Sequence, residues 1–185
     1  MRLFSVIEQI LFPRFCINCK REGSFLCEDC FFLIEVMEKN YCLCDYPKTG
    51  REKCKKCCQK KLEGLFFASY LKGPLVESLF KKYTEEPFLK DLSYPLAGLV
   101  IRHFLHLQKI PKNFSLHTLP VKNERIAGYD INKEVAKKIV EPLNIKKGKN
   151  IIIFSLLYTE EVEEEARRLK EKGVNKVKAV CVFRR

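Results

Sequence analysis

Two knuckles stand near the start of the chain in "CINCKREGSFLCEDC": Cys16-x2-Cys19, seven residues, then Cys27-x2-Cys30. Paired CxxC units let successive sulfurs converge on a tetrahedral ion with arms of about 2.3 Å, and Lys20 to Gly23 can form the tight turn after the first knuckle. Structural zinc is the expected occupant, with redox or iron–sulfur use as the alternative. A second group, "CLCDYPKTGREKCKKCC", is less regular. Cys42 and Cys44 are separated by one residue instead of two, and Cys54, Cys57 and Cys58 offer one thiol too many. Cys42, Cys44, Cys54 and Cys57 are the expected ligands and Cys58 the spare; a crossed pairing or an empty, decayed site are the alternatives. All-thiolate sites leave no open coordination position, so zinc here would replace a hydrophobic core that some 60 residues cannot supply.

Nine of the ten cysteines lie between residues 16 and 58. That density in a chain without a cleavable leader fits metal in a cytosolic protein rather than disulfides. Glu8 interrupts "MRLFSVIEQILF", which reads as an amphipathic docking helix and not as a signal peptide. No apolar run reaches the roughly 20 residues of a membrane span. The formal charge is +12, from 35 Lys and Arg against 23 Asp and Glu, falling to roughly +8 if two four-thiolate zinc sites form. Such a balance favours polyanions by counterion release. Lys53, Lys55, Lys56, Lys60 and Lys61 surround the second cysteine group, ahead of Phe66 and Phe67. They are candidate nucleic-acid contacts; a solvated lysine loop is the plainer reading.

From Gly64 onward the pattern changes. "LFFASYLK" reads as a strand and "PLVESLFKKY" as a helix opened by Pro74. "PFLKDLSYPLAGLVIRHFLHLQ" reads as a long helix or a helix pair, and "FSLHTLPV" as a strand ending at Pro120. "GYDINKEVAKKIVEPL" is helical, with Val135, Ile139 and Leu143 on one face. A strand over 150–156, a helix over 159–172 and the strand "KVKAVCVF" follow. This alternation predicts an α/β fold with a mostly parallel sheet flanked by helices, and two domains, 1–62 and 63–185. A ligand would sit at the carboxyl ends of the strands, in the turns after residues 119 and 156. His103, His106 and His117 have no metal-ligand spacing and read as packed or surface residues. No Ser–His–Asp or Cys–His set is present, and Cys181 reads as core.

The order of these parts resembles the ComF family, competence-associated proteins with an N-terminal zinc ribbon and a type I phosphoribosyltransferase domain. The matching stretches are Leu11-Phe12-Pro13 before the first knuckle, Tyr70-Leu71-Lys72-Gly73-Pro74-Leu75, Lys82-Tyr83, Leu119-Pro120, Gly128-Tyr129 and 151–184. The resemblance covers nearly the whole chain. It implies a turn of the form "DDVYTTGAT", whose aspartates hold the ribose hydroxyls of phosphoribosyl pyrophosphate (PRPP) and whose Thr-Thr-Gly cradles the 5′-phosphate. On this chain the aspartates fall on Ser155 and Leu156. Tyr158 and Thr159 survive, but the second threonine is Glu160, the glycine Glu161 and the last threonine Glu163. In the implied "RGFNQA" segment the arginine falls on Ala127, the asparagine on Asp130 and the glutamine on Ile131.

Three contributions to PRPP binding are lost together. Carboxylates near a phosphate repel it by on the order of 1 kcal/mol even when solvated. The glycine's close backbone approach is gone, and the diol and its Mg²⁺ have no acceptors. The same residues suit a helix start: Thr159 as N-cap, three glutamates in the first turn, and Glu163–Arg167 and Glu164–Arg168 as i,i+4 pairs. The expected protein is a non-catalytic ComF-type member, with zinc but neither Mg²⁺ nor PRPP. By resemblance it would serve DNA uptake or natural transformation and contact single-stranded nucleic acid or the uptake machinery. The alternatives are a working PRPP-dependent transferase with an altered pocket drawing on Lys122, Arg125 and Lys133, and a structural zinc scaffold for a protein complex.

Overall fold

The computed structural model describes residues 13–39, 42–44, 57, 60–86, 89–108, 113–120, 130–145 and 148–185. The expected docking helix at the N-terminus and the segment 121–129 lie outside them. A short helix α1 (Glu28–Phe32) belongs to the cysteine-rich part. The remaining elements are β1 (Leu65–Tyr70), α2 (Pro74–Glu85), α3 (Ser93–Leu107), β2 (Phe114–Thr118), α4 (Ile131–Val140), β3 (Asn150–Leu157), α5 (Glu160–Glu171) and β4 (Val177–Arg184). The apolar stretch after residue 87, read as a long helix or a helix pair, resolves into one tight 3-10 turn, Lys90–Leu92, running into α3.

The four strands pair in the order β1-β4-β3-β2, and every pairing is parallel. The runs "NIIIFSLL" and "VKAVCVFR" form the two central strands, whose β-branched and aromatic residues are buried on both faces. β1 and β2, at the edges, are shorter. Gly73 opens α2 at φ +86°, a left-handed conformation suited to glycine, and Pro74 takes the first helical position. Tyr83 on α2 is fully buried and donates its hydroxyl proton to the Ile131 carbonyl at 3.2 Å, tying α2 to the start of α4.

Side chains alternate between two cores. One face carries Phe66, Ala68, Ile152, Phe154 and Val180 beneath α2, α3 and α4. The other carries Leu65, Phe67, Ile153, Ala179 and Cys181 beneath α5. The cysteine-rich chain contributes to both. Cys16, Cys30 and Ile34 pack into the first core, while Met37, Cys42, Leu43, Cys57 and Leu62 pack into the second. The crossing occurs at the β1 edge, where the Met37 N–H donates to the Ala68 carbonyl at 2.8 Å. An edge acceptor is thereby satisfied, and Cys42, Leu43 and Cys57 pack on the same face of the sheet as α5. Residues 1–62 differ from 63–185 in composition, yet the described parts of both share each core. Among the described residues, no helix is long and apolar enough to cross a membrane.

Candidate metal centres and the turn after β3

The first knuckle is shaped by its backbone. Lys20 adopts φ +62° and donates its N–H to the Cys16 carbonyl at 3.0 Å, and Cys16 N–H donates to the Arg21 carbonyl at 2.8 Å. Gly23, at φ +119°, completes the return. The second knuckle is helical: Cys27 sits at the N-cap of α1 and Cys30 lies within it. The sulfurs of Cys16, Cys19, Cys27 and Cys30 all lie within 4.8 Å of one another, with Cys19 and Cys27 at 3.5 Å. A tetrahedron with 2.3 Å arms has edges of about 3.8 Å, so the set fits zinc.

Its electrostatics ask for a cation. Burial pushes the Cys16 thiol up, but N–H groups of Cys27, Cys19 and Asn18 outweigh burial and hold its pKa at about 6. The Cys30 N–H favours a thiolate at Cys27, yet desolvation and the neighbouring thiols outweigh that and push it up to about 12. Four sulfurs this close cannot all ionise until a cation joins them. Two outer contacts were not legible from cysteine spacing. Asn18 donates its amide to Cys30 Sγ at 3.2 Å, and Arg21 pairs with Asp29 at 2.5 Å across the two knuckles.

In the second group the sulfurs of Cys42, Cys44 and Cys57 also lie within 4.8 Å of one another. Cys42 and Cys57 are buried and Cys44 is partly so. These three fit a metal; the expected fourth ligand Cys54 and the spare Cys58 lie outside the described residues, as do Lys53, Lys55 and Lys56. Lys61 is exposed. Lys60, taken in the sequence as a candidate phosphate contact, instead pairs with Glu163 at 2.6 Å.

At the carboxyl ends of β2 and β3 lies a cleft of about 210 Å³, lined mainly by apolar groups of Phe80, Leu119, Pro120, Ile131, Leu156 and Leu157. Ser155 is buried and donates its hydroxyl proton back to the Leu157 carbonyl at 2.8 Å; Leu156 is buried in the core. Neither position presents a carboxylate to a diol. Glu161 and Thr159 stand at the rim. Asn132 braces this cleft from α4. Its amide donates to the Leu119 carbonyl and its oxygen accepts from the Leu156 N–H, both at 2.7 Å. Sequence reasoning passed over Asn132; the available signal was an amide on the same helical face as Val135, Ala136 and Ile139. Asp130 caps α4 by accepting from the Lys133 N–H at 2.8 Å, and the Lys133 side chain is exposed. Lys122 and Arg125 lie outside the described residues.

The start of α5 departs from expectation in two ways. Thr159 occupies the N-cap with extended backbone, but its hydroxyl makes no capping hydrogen bond. The two expected i,i+4 pairs are replaced. Glu163 takes Lys60 and the Tyr158 hydroxyl instead of Arg167, and Arg168 pairs with Glu165 at 2.8 Å instead of Glu164. The reasons differ: Glu163 in the first turn of α5 faces Lys60, a partner distant in sequence, whereas Arg168 takes the i,i+3 carboxylate of Glu165 on its own helix. Burial pushes the Glu163 carboxyl up, but hydrogen bonds from Lys60 and Tyr158 outweigh it and hold the group below the usual range. Tyr158, half-buried and bonded to that carboxylate, is pushed well above an ordinary phenol, desolvation being the larger cause.

The histidines form no metal set among the described residues. His103 is buried, its Nδ1–H donating to the Met37 carbonyl at 2.6 Å. His117 Nε2 lies 3.1 Å from Glu165 Oε1 without hydrogen-bond alignment. Cys181 is fully buried, as its apolar strand implied. Compared with known protein families, characterised proteins and solved structures, the chain matches none.

Proposed function

We propose that this chain is a zinc-organised, non-catalytic ComF-type protein with a phosphoribosyltransferase-like frame. Its work is binding: single-stranded nucleic acid, or a partner in DNA uptake. The observation that carries the reading is the end of β3. There the Ser155 hydroxyl is turned back on Leu157, Leu156 is committed to the core, and Glu160, Glu161 and Glu163 open the next helix. A ligand with a phosphate and a diol meets carboxylates where it needs amides, and a methylene surface where it needs acceptors. The thiol clusters supply the second support: the four converging sulfurs of the first leave no open coordination position, and the second would match it with Cys54 as its fourth ligand.

Zinc would be held by Cys16, Cys19, Cys27 and Cys30 in the first centre, and by Cys42, Cys44 and Cys57 in the second, with Cys54 as the remaining candidate. Its chemistry there is to cross-link chain segments. The nucleic-acid part rests on the +12 formal charge and the lysines around the second centre. The Lys60–Glu163 pair withdraws one of those five lysines and favours the scaffold reading in that region. Fluorescence anisotropy with a labelled oligothymidylate, from 50 to 300 mM salt, tests the assignment. Binding should weaken with salt at a log–log slope of about −0.7 per phosphate neutralised. Binding weaker than about millimolar with no salt slope removes nucleic acid from the reading and leaves the protein scaffold.

A further inference from the structure

Both ligand-bearing segments of the second thiol group are fastened to the same end of the sheet, by residues with no place in a coordination sphere. Arg184, the last residue of β4, is 5% exposed. Its Nη1 donates to the Cys42 carbonyl at 3.0 Å and its Nη2 to the Leu43 carbonyl at 2.7 Å. The guanidinium lies over the rings of Phe67 at 5.5 Å and Tyr158 at 5.3 Å. Tyr158 donates in turn to Glu163, which holds Lys60; and the Lys60 N–H donates to the Cys57 carbonyl at 3.1 Å. One segment is thus gripped through Arg184 and the other through Glu163.

We propose that Arg184 is the positioning residue of the second metal centre, fixing the Cys42–Cys44 segment and offsetting the negative charge of a thiolate-bound zinc. The inference rests on the two-centre reading above. Cys42-x-Cys44 is too short to form the knuckle that shapes Cys16-x2-Cys19, so its carbonyls need partners from elsewhere. A planar fork that engages two adjacent carbonyls supplies them, which lysine cannot reproduce. A zinc held by three or four thiolates carries a net charge of about −1 or −2, and a buried cation beside it lowers the cost of that charge. Groups outside the coordination sphere commonly alter metal affinity 10–100-fold.

The test uses the full chain loaded with two equivalents of zinc, in wild-type form and as Arg184→Lys and Arg184→Gln. Chelator competition reports affinity, and cysteine alkylation read by mass spectrometry reports which thiols are released. In both variants Cys42, Cys44 and Cys57 should become reactive, with zinc affinity at that centre lowered about 10–100-fold. Cys16, Cys19, Cys27 and Cys30 should stay protected, an asymmetry that general loss of structure would not produce. Equal protection of Cys42, Cys44 and Cys57 in wild type and both variants overturns the inference alone. Free alkylation of those three in fully loaded wild type overturns the two-centre reading and the inference with it. Should both variants fail to fold, the reciprocal measurement decides, by hydrogen exchange on Cys42→Ser/Cys57→Ser. The Leu71 and Tyr158 N–H groups donate to the Arg184 and Phe183 carbonyls. Loss of their protection supports coupling of the centre to the β4 end; unchanged protection overturns it.

Discussion

Replacing Asn132 with leucine should destabilise the zinc-loaded protein strongly, although the two side chains are similar in size. Asn132 is 2% exposed, and its two 2.7 Å bonds hold the ends of β2 and β3 against α4. Leucine leaves the Leu156 N–H and the Leu119 carbonyl without that partner, in a region where both residues are buried. Each orphaned group costs about 1–3 kcal/mol, so the pair costs about 2–6 kcal/mol. The added apolar surface returns on the order of 1 kcal/mol, leaving a net loss of about 1–5 kcal/mol. For a chain of this length that corresponds to a fall in Tm of roughly 2–20 °C. Asn132→Asp sharpens the test. Its carboxylate can still accept from the Leu156 N–H but cannot donate to the Leu119 carbonyl. Its penalty should therefore exceed that of Leu at pH 7 and shrink on acidification, once a protonated oxygen can donate. Urea unfolding of the zinc-loaded proteins, followed by circular dichroism, measures both. A change below about 0.5 kcal/mol for Asn132→Leu would refute the bracing role.

Removing zinc should affect the whole chain rather than a detachable ribbon, because Cys16 and Cys30 share a core with α2, α3 and α4. A mercurial should release two zinc ions per chain, and chelation should remove most of the folding stability, structural zinc contributing on the order of 10 kcal/mol; an unchanged thermal transition after chelation would contradict this. The His103 contribution should follow pH with a definite sign. Burial holds its imidazole below the usual range, with the Met37 carbonyl pulling the other way and the His106 charge lowering it further. The unfolded chain therefore takes the proton first. Stability from this residue is complete above about pH 6.5 and is lost as pH falls through that value toward the folded pKa. Comparing wild type with His103→Gln between pH 7.5 and 5.5 checks it, and identical pH slopes would be the wrong result.

What was legible in the sequence was whatever local spacing decides. The first knuckle pair follows from two CxxC units, and the alternation of strands and helices follows from runs such as "NIIIFSLL" and the apolar face Val135–Ile139. Long-range pairing was not legible. Glu163 meets Lys60 across 103 positions and Arg184 meets Cys42 across 142, so neither contact leaves a periodic trace. The Glu163–Arg167 pair expected on α5 lost to such a contact, because the first turn lies against Lys60, while Glu164–Arg168 lost to the local i,i+3 partner Glu165. The crossing of the β1 edge at Met37 was hidden for the same reason: "ILFPRFC" through "VMEKN" carries composition but no register. Asn132 shows the opposite case, a residue with a readable signal, a lone amide among apolar neighbours on a helix face, that points to backbone support rather than chemistry.

The central proposal, that the turn after β3 does not bind PRPP, is tested most directly by calorimetric titration of zinc-loaded protein with PRPP and Mg²⁺. With Ser155 bonded to Leu157, Leu156 in the core and three glutamates at the helix start, no heat of binding is expected up to about millimolar ligand, equivalent to less than about 4 kcal/mol. A saturable isotherm in the micromolar range, abolished by omitting Mg²⁺, would contradict the account and restore a working transferase.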